Sequence, residues 1–344
     1  MKKIFKIITL LLAVTFTSPV FASSFTFSEE LYSGSLNYNQ SAKPGEALTA
    51  RISLKLSKSL KKKNNLDFKA NLILFNDGKK IESSQFYLIS GKNKKSQTSE
   101  YFTALPLSTW LDASKHYEAK VILKVSTLEE KQISLPFSLQ ETSFNSETLN
   151  LNKDNTNIKT NMSAERLSQI EKLNGILYTI NPENVYTTKP FVRPVDSERY
   201  TAYFGDRRVY KYVTGKSETS LHYGNDYGVP EGTEVRACQD GKVVMAEFRI
   251  STGWSVCIEH LPGLYSLYYH LSSLSVEEGE MVKCGEKLGL SGQTGLATGP
   301  HLHWEVRLNA CAVKPEFFME NYIMENAGYS RTTESLPSSV TKSE

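Results

Sequence analysis

Apolar and polar residues alternate along much of the first part of the chain. Four runs have an apolar residue at every second position, at residues 48–56, 66–74, 119–125 and 133–139. A period of two is typical of β-strands that bury one face. The segment Asn76-Asp77-Gly78, between two of these runs, is typical of a tight turn. We therefore predict that residues 23–140 form a β-sandwich, for which an immunoglobulin-like fold is one candidate.

The pattern changes after residue 140. Residues 141–162 are rich in Asn, Ser, Thr and Lys, which is typical of a linker. Ser163 can cap a helix, and apolar residues then follow at helical spacing, at Leu167, Ile170, Leu173 and Leu177. We predict a linker over residues 141–194 that contains a helix near residues 163–178, whose apolar stripe packs against the rest of the protein.

Short β-like runs separated by glycine-containing turns fill residues 195–318. This stretch has no long helical period, so we predict a second, compact domain of antiparallel strands. The protein is thus expected to be mostly β. Residues 319–344 lose the pattern and end in a tail rich in Ser, Thr and charge, for which we predict disorder.

The N-terminus has the features of a signal peptide. Lys2 and Lys3 precede a short apolar run at residues 7–16, and small residues stand at the −3 and −1 positions of a cleavage site after Ala22. The run is too short to span a bilayer, and no other stretch is long and apolar enough. We predict that residues 1–22 are removed and that the protein is exported to the periplasm or cell envelope, or is secreted.

Composition and cysteine content exclude few classes of function. The chain is 40% hydrophobic and has a formal net charge of +3, which is too small to indicate binding of nucleic acid or a membrane surface. All four cysteines fall in the predicted second domain, and their spacing matches no zinc-knuckle pattern. They could form two disulfides in three connectivities, or be small buried residues; they are Cys238, Cys257, Cys284 and Cys311.

Candidate chemistry lies in two short segments of the second domain. His301 and His303 are two residues apart in a strand-like segment, so both imidazoles can face the same point. His222 and Asp226 are four residues apart in a glycine-containing stretch that disfavours a helix, and in an extended segment they also share a face. His270 lies between the two segments along the chain.

One imidazole, one carboxylate and a second imidazole make a set of three metal ligands. Three protein ligands leave a fourth tetrahedral position for water or substrate, which is typical of catalytic rather than structural zinc. Two imidazoles and a carboxylate also suit mononuclear iron. The sequence offers no cosubstrate site for iron chemistry, so the zinc interpretation is preferred.

Six pieces of the second domain also carry a family resemblance; they are Tyr203-Phe-Gly-Asp-Arg207, His222-Tyr-Gly-Asn-Asp226, Asp240-Gly-Lys-Val-Val244, Tyr268-Tyr-His-Leu271, Val282-Lys-Cys-Gly-Glu-Lys-Leu-Gly289 and the segment from Ser291 to His303. On these pieces, residues 199–318 closely resemble the lysostaphin-like metallopeptidase domain, also called LytM or peptidase family M23. The resemblance implies a zinc endopeptidase that cuts peptide bonds in peptidoglycan stem peptides or cross-bridges.

The resemblance also implies a role for each histidine of the candidate site. His222, Asp226 and His303 match the ligands of one zinc ion per chain. His270 and His301 match the two catalytic histidines that do not bind the metal, and the division of labour between them stays open. One subgroup of the family has lost the ligands and activates other wall hydrolases, so a non-catalytic wall-binding or activating protein is the alternative.

Further residues are candidates for contact with the substrate. His260, Tyr203, Arg207 and Tyr268 could line a groove for the peptide, and Arg208 could join Arg207 in facing a substrate carboxylate. Peptidoglycan is the expected partner, and the predicted sandwich is a possible contact for a protein partner.

Overall fold

A computed structural model describes residues 22–57, 68–90, 98–126 and 128–320. Strands dominate this part of the chain, so the predicted mostly-β class is confirmed. Most of the predicted signal peptide and of the predicted disordered tail lies outside the described residues. None of the helices in the described ranges has the length and apolar character needed to cross a membrane.

Two antiparallel sheets make up the first domain. The five-stranded sheet has the order β1 (Ala22–Ser28), β2 (Tyr32–Asn39), β4 (Ala47–Leu56), β8 (Thr98–Pro106) and β7 (Tyr87–Ser90). The four-stranded sheet has the order β10 (Lys131–Leu135), β9 (Tyr117–Val125), β5 (Phe68–Asn76) and β6 (Lys79–Gln85). Two short parallel strands, β3 (Ser41–Ala42) and β11 (Ser138–Leu139), complete the domain.

The alternating residues of the two sheets meet in one core. Leu48 and Ile52 of the first sheet lie in the same buried cluster as Leu72 and Val121 of the second sheet. All four side chains are fully buried, as expected where the inner faces of two sheets pack together. This shared core is the arrangement expected of a sandwich, while the immunoglobulin-like topology stays a prediction.

The segment predicted as a linker is largely integrated into the second domain. A strand, β12 (Ser146–Asn150), pairs in parallel with β14 (Arg207–Lys211) of that domain. A short helix that sequence reasoning did not predict, α1 (Lys153–Lys159), follows, and Asn152 caps it by accepting a hydrogen bond from the backbone N–H of Asn155. Residues 146–159 therefore form a paired strand and a capped helix despite their polar composition, and the linker prediction is wrong for them.

The second helix, α2 (Ala164–Leu177), lies where the apolar spacing predicts one. The Ser163 side chain caps it, accepting a hydrogen bond from the backbone N–H of Arg166. The apolar stripe packs at its C-terminal end, where Leu173 and Leu177 contact a buried cluster of the second domain. Leu167, near the start of the helix, is exposed.

The second domain is built on a ten-stranded antiparallel sheet, in agreement with the sequence analysis. Seven strands follow one another in the order β13 (Tyr200–Ala202), β16 (Gly224–Tyr227), β23 (Leu302–Leu308), β20 (Leu264–Leu274), β19 (Gly253–Leu261), β18 (Gly241–Arg249) and β21 (Met281–Val282). The other three are β17 (Glu234–Arg236), β22 (Lys287–Ser291) and β24 (Cys311–Val313). Beside this sheet, β12 and β14 form a three-stranded sheet with β15 (Ser217–Leu221), and α3 (Phe317–Glu320) ends the described chain.

The two domains share buried surface. Phe102 and Ala104 of β8 lie in the same apolar cluster as Val306 and Val313 of the second domain. Arg207, at the start of β14, places its guanidinium 3.9 Å from the centroid of the Trp110 ring and donates a hydrogen bond to the Thr109 carbonyl. The first domain is therefore packed directly against the domain that carries the candidate chemistry.

Candidate active site

Three side chains converge at the junction of β16 and β23. Asp226 and His303 are direct partners in the antiparallel register, and His222 lies just before β16. His222 Nε2 is 3.1 Å from Asp226 Oδ1 and 3.0 Å from His303 Nδ1, and His303 Nδ1 is 2.6 Å from Asp226 Oδ1. Two imidazole nitrogens and a carboxylate oxygen thus face one point.

The outer contacts of the His222 and His303 rings decide which nitrogen of each ring faces Asp226. His222 Nδ1 is 2.8 Å from the Tyr203 carbonyl, which can only accept, so that nitrogen carries the proton. His303 Nε2 is 3.0 Å from Glu305 Oε1 and donates its N–H to that carboxylate. The opposite nitrogens of the two rings therefore face Asp226. Burial would lower the pKa of His303, but Asp226 and Glu305 outweigh it and raise the pKa to about 9, so a cation at this point would displace a proton from the inward-facing nitrogen.

Charges around the cluster keep its carboxylates ionised. Burial alone would raise the pKa of Asp226, but His222 and His303 outweigh it and hold the pKa well below its usual range. Burial would likewise raise the pKa of Glu305, and Arg307 together with His303 lowers it to about 2. The donor set of two imidazoles and one ionised carboxylate fits a divalent metal ion.

Two further histidines lie beside the cluster. The ring centroids of His270 and His301 are 4.7 Å apart, and His301 Nε2 is 3.7 Å from Asp226 Oδ1. Each ring donates Nδ1–H to a backbone carbonyl at 2.8 Å, from Thr294 for His270 and from Gly299 for His301. In both rings Nε2 is therefore the nitrogen that can accept a proton.

Burial sets the protonation of this second pair. It lowers the pKa of His270 to about 3, with His301 and His303 adding to the shift. Burial also lowers the pKa of His301. Both imidazoles are neutral at neutral pH, which is the form that a general base requires.

His270 reaches the site through an unusual backbone conformation. Its φ is +62°, in a region that non-glycine residues rarely adopt and that costs on the order of 1–3 kcal/mol. Its backbone N–H donates to the Thr252 carbonyl at 2.8 Å, which helps to hold this conformation. Regular alternation would place His270 on the same face of β20 as Tyr268, which points into the core.

A cavity of about 450 Å³ opens over the histidines. The cluster of His222, Asp226 and His303, together with His270, His301 and the loop at residues 296–300, forms one part of its wall. Other parts of the wall come from β12, α1, the start of α2, β14 and β15. The five residues predicted for metal binding and catalysis therefore come together in one accessible site.

Two of the predicted substrate-lining residues are instead in the core. His260 and Tyr268 are fully buried, and both bond to the hydroxyl of Ser266. Burial lowers the pKa of His260 to about 4. Both faces of this part of the sheet are covered, so neither residue can contact a substrate, and their predicted lining role is wrong.

The other two lining candidates also lie away from this cavity. The Tyr203 ring is half exposed and stacks on Tyr200, with ring centroids 5.3 Å apart. Tyr203 contacts the site only through its backbone carbonyl, which binds His222. Arg207 is committed to the contact with Trp110 in the first domain. Arg208, the next residue along β14, does line the cavity, and its Nη2 donates to Asp226 Oδ2 at 2.9 Å. Neighbouring residues of a strand face opposite ways, which explains the difference.

Several lining residues were missed by sequence reasoning. Tyr269 stacks on the His303 ring with an interplanar angle of 3°, and Glu305 binds the same ring. Lys159 and Arg166 reach the cavity from the segment predicted as a linker. The alternation of β23 places Glu305 on the face of His303, but no local signal brings residues 159 and 166 to the site.

The four cysteines are free thiols in the structure. Cys238 and Cys257 are buried among apolar residues, and burial raises the pKa of Cys238 to about 12. The disulfide alternative is therefore not observed, and the interpretation of small buried residues holds for these two.

Comparison with known proteins identifies the domain that carries this site. Residues 220–315 match the family described as Peptidase family M23. This segment is an M23 peptidase domain. The M23 domain contains all five histidine and aspartate residues of the site.

Curated relatives match part of the chain. The chain is 46% identical over 95 residues to the DD-carboxypeptidase/endopeptidase Mpg of Neisseria meningitidis serogroup B, covering 28% of this chain and 22% of that protein. It is 40% identical over 114 residues to the peptidoglycan DD-endopeptidase ShyA of Vibrio cholerae, covering 33% and 26%. The chain therefore spans about a quarter of the length of these relatives.

Among solved structures, the chain is similar to lysostaphin from Staphylococcus simulans. The TM-score is 0.33 at 28% sequence identity, and the match covers 44% of this chain and 61% of lysostaphin.

Proposed function

We propose that this protein is a zinc-dependent endopeptidase that hydrolyses peptide bonds of bacterial peptidoglycan in the cell envelope. The observation that carries the proposal is the set of three converging acceptor atoms beside two neutral imidazoles in an open cavity. The M23 domain supports a metalloendopeptidase. The names of the relatives, which include peptidoglycan DD-endopeptidases, support the substrate and the location.

His222, Asp226 and His303 would hold the zinc ion. Bound zinc would polarise the scissile carbonyl and lower the pKa of a coordinated water, which is what catalytic zinc sites supply. Glu305 and the Tyr203 carbonyl hold the two ligand rings in the tautomers that bind metal.

His270 and His301 would move protons. Both present an unprotonated Nε2 at neutral pH, so one ring can accept the proton of the attacking water. Nε2 of the other ring can donate a hydrogen bond to the developing oxyanion, or protonate the leaving amine, only after it has itself received a proton, for which the proton taken from the attacking water is the source. The alternative of a non-catalytic activator requires a degraded ligand set, whereas here all three ligand positions are filled by metal-binding side chains.

The test is metal content together with release of wall fragments. We expect about one zinc per chain after purification from zinc-supplied cells, and release of soluble peptides from purified peptidoglycan that stops on chelation and returns with zinc. The variant His116→Gln, which removes a histidine far from the candidate ligands, should leave zinc content and fragment release unchanged, because the His116 side chain is 76% exposed in the first domain. A metal-free protein that releases no fragments would refute the proposal.

Export is part of the same proposal. Cleavage after Ala22 would leave Ser23 as the first residue, inside the first strand β1. Cell fractionation should find the protein in the envelope, and mass spectrometry should find Ser23 at its N-terminus. A cytoplasmic protein that retains residues 1–22 would contradict this part.

A further inference from the structure

One wall of the cavity comes from a segment that lies outside the M23 match. We call residues 146–166, which comprise β12, α1 and the first turn of α2, the strap. The strap is bound to the M23 domain at several points. Asn155 Nδ2 donates to the Ala297 carbonyl at 3.2 Å, and Arg166 Nε donates to Ser251 Oγ at 3.0 Å. The strap therefore forms a fixed part of the cavity.

The acidic residues that line the cavity are all matched by cations. Arg208 binds both Glu147, through Nε at 2.7 Å, and Asp226, through Nη2 at 2.9 Å. Glu305 is held by Arg307 Nε at 2.7 Å and by His303. These carboxylates therefore need no further cation from the strap.

The strap nevertheless adds two cations to the cavity lining, Lys159 and Arg166. Lys159 Nζ lies 4.8 Å from the centroid of the Tyr210 ring and 3.3 Å from Glu218 Oε1. Glu218 is half exposed and also accepts a hydrogen bond from Tyr212. Lys159 is thus only partly neutralised, by a carboxylate at the rim.

Arg166 makes no direct ion pair in the described part of the chain, and Glu218 acts on it only at longer range. Its two hydrogen bonds go to neutral oxygens, the Ser251 hydroxyl and the Asn161 carbonyl at 2.8 Å. These bonds fix the guanidinium, and the carboxylate that acts on its charge, Glu218, is shared with Lys159, so the two cations together keep a net positive charge. A guanidinium offers five donors in a planar fork that matches a carboxylate, and a partly buried charge attracts an anion more strongly than an exposed one.

We propose that Arg166, together with Lys159 from the same strap, forms a subsite that binds a carboxylate of the peptide substrate in this cavity. The subsite makes the protein select anionic peptides over their amides, and it rests on the proposed function. The carboxylate can be the C-terminal carboxylate of the peptide or a side-chain carboxylate near the cleaved bond. Both have the same chemistry, and separate substrates distinguish them.

The experiment uses the full zinc-loaded chain and a cross-linked stem-peptide dimer isolated from peptidoglycan. The dimer is prepared with all carboxylates free, with only the C-terminal carboxylates amidated, and with only the side-chain carboxylates amidated. We expect kcat/KM to fall about 10- to 100-fold for one of the amidated forms, as loss of a charged hydrogen-bond partner implies. The form that loses activity identifies the carboxylate that is bound.

Arg166→Gln tests the residue itself. We expect this variant to hydrolyse free and amidated substrates within about threefold of each other, and to bind the same amount of zinc as the wild type. Lys172→Gln is the matched control, because Lys172 lies on the same helix and pairs with Glu247 and Glu278 at the surface. It should keep the wild-type preference. Arg166→Lys retains the charge without the fork and should keep part of the preference, which covers the case in which Arg166→Gln is misfolded.

Calorimetry separates this inference from the proposed function. Zinc-loaded His301→Ala should bind the free dimer more tightly than the amidated dimer, and adding Arg166→Gln should remove the difference. Equal hydrolysis of free and amidated substrates by the wild type would overturn the subsite and leave the endopeptidase standing. Failure to cleave any dimer, with a binding difference that depends on Arg166, would overturn the endopeptidase and support the subsite. Absence of both would overturn both.

Discussion

Replacing Glu305 with Gln should weaken metal binding without removing any ligand. Glu305 Oε1 accepts the hydrogen bond from His303 Nε2 at 3.0 Å, and its Oε2 accepts from Arg307 Nε at 2.7 Å. Gln keeps the shape of the side chain but removes the negative charge that holds the His303 proton on Nε2. The lone pair on Nδ1 then becomes less basic and less firmly oriented.

The expected loss of metal affinity follows from the fact that Glu305 contacts a proposed ligand, His303, and not the metal itself. Loss of such an outer partner typically reduces metal affinity about 10- to 100-fold, which corresponds to about 1.4–2.8 kcal/mol. Because Glu305 is buried and Arg307 loses its ionised partner, we expect a lower unfolding midpoint as well.

The assay is a competition titration of the metal-free protein with zinc and a coloured chelator at neutral pH. Glu259→Gln is the matched control, because Glu259 is a buried glutamate on the nearby strand β19 whose side chain accepts from Asn184 Nδ2 at 2.8 Å. Its zinc affinity should stay within about twofold of the wild type. An unchanged affinity in a folded Glu305→Gln variant would refute the argument that this carboxylate orients the His303 ring.

Three further predictions follow from other features of the chain. His303→Ala should lose zinc and hydrolysis together, whereas His301→Ala should keep zinc and lose about 100-fold or more in kcat. His260 has its pKa lowered to about 4 by burial, so its contribution of about 3 kcal/mol to the free energy of unfolding is present above pH 6.5 and lost as pH falls towards 4. His260→Gln should remove this part of the pH dependence in chemical denaturation. Gly224→Ala should destabilise the protein by more than about 2 kcal/mol, because a Cβ would stand 2.3 Å from the Trp304 carbonyl oxygen of the neighbouring strand.

Controls sharpen these three tests. Reversed metal contents for the two histidine variants would contradict the assignment of His303 to the metal. Parallel stability curves for wild type and His260→Gln between pH 4 and about 6.5 would contradict the burial argument. Gly175→Ala is the control for Gly224→Ala, because Gly175 lies within helix α2 and a Cβ there would meet open space. This variant should stabilise the protein by about 0.5–1 kcal/mol.

The sequence by itself determined the parts that depend on local periodicity. Alternation identified four strands of the first domain, β4, β5, β9 and β10, and apolar spacing after Ser163 identified helix α2. The two-residue spacing also placed His301 and His303 on one side of their segment, because side-chain direction in a strand repeats every two residues. Such patterns need no knowledge of which strands become neighbours.

Only the tertiary structure decided which residues reach the cavity. Tyr268 and His270 are also two residues apart, yet Tyr268 enters the core, and His270 reaches the site through a φ of +62°. Arg166 lies 137 positions before His303 in the sequence and lines the same cavity, because the strap pairs with β14 and packs on the M23 domain. Pairing between distant segments and strained backbone are set by the energy of the whole packed molecule, so local spacing does not report them.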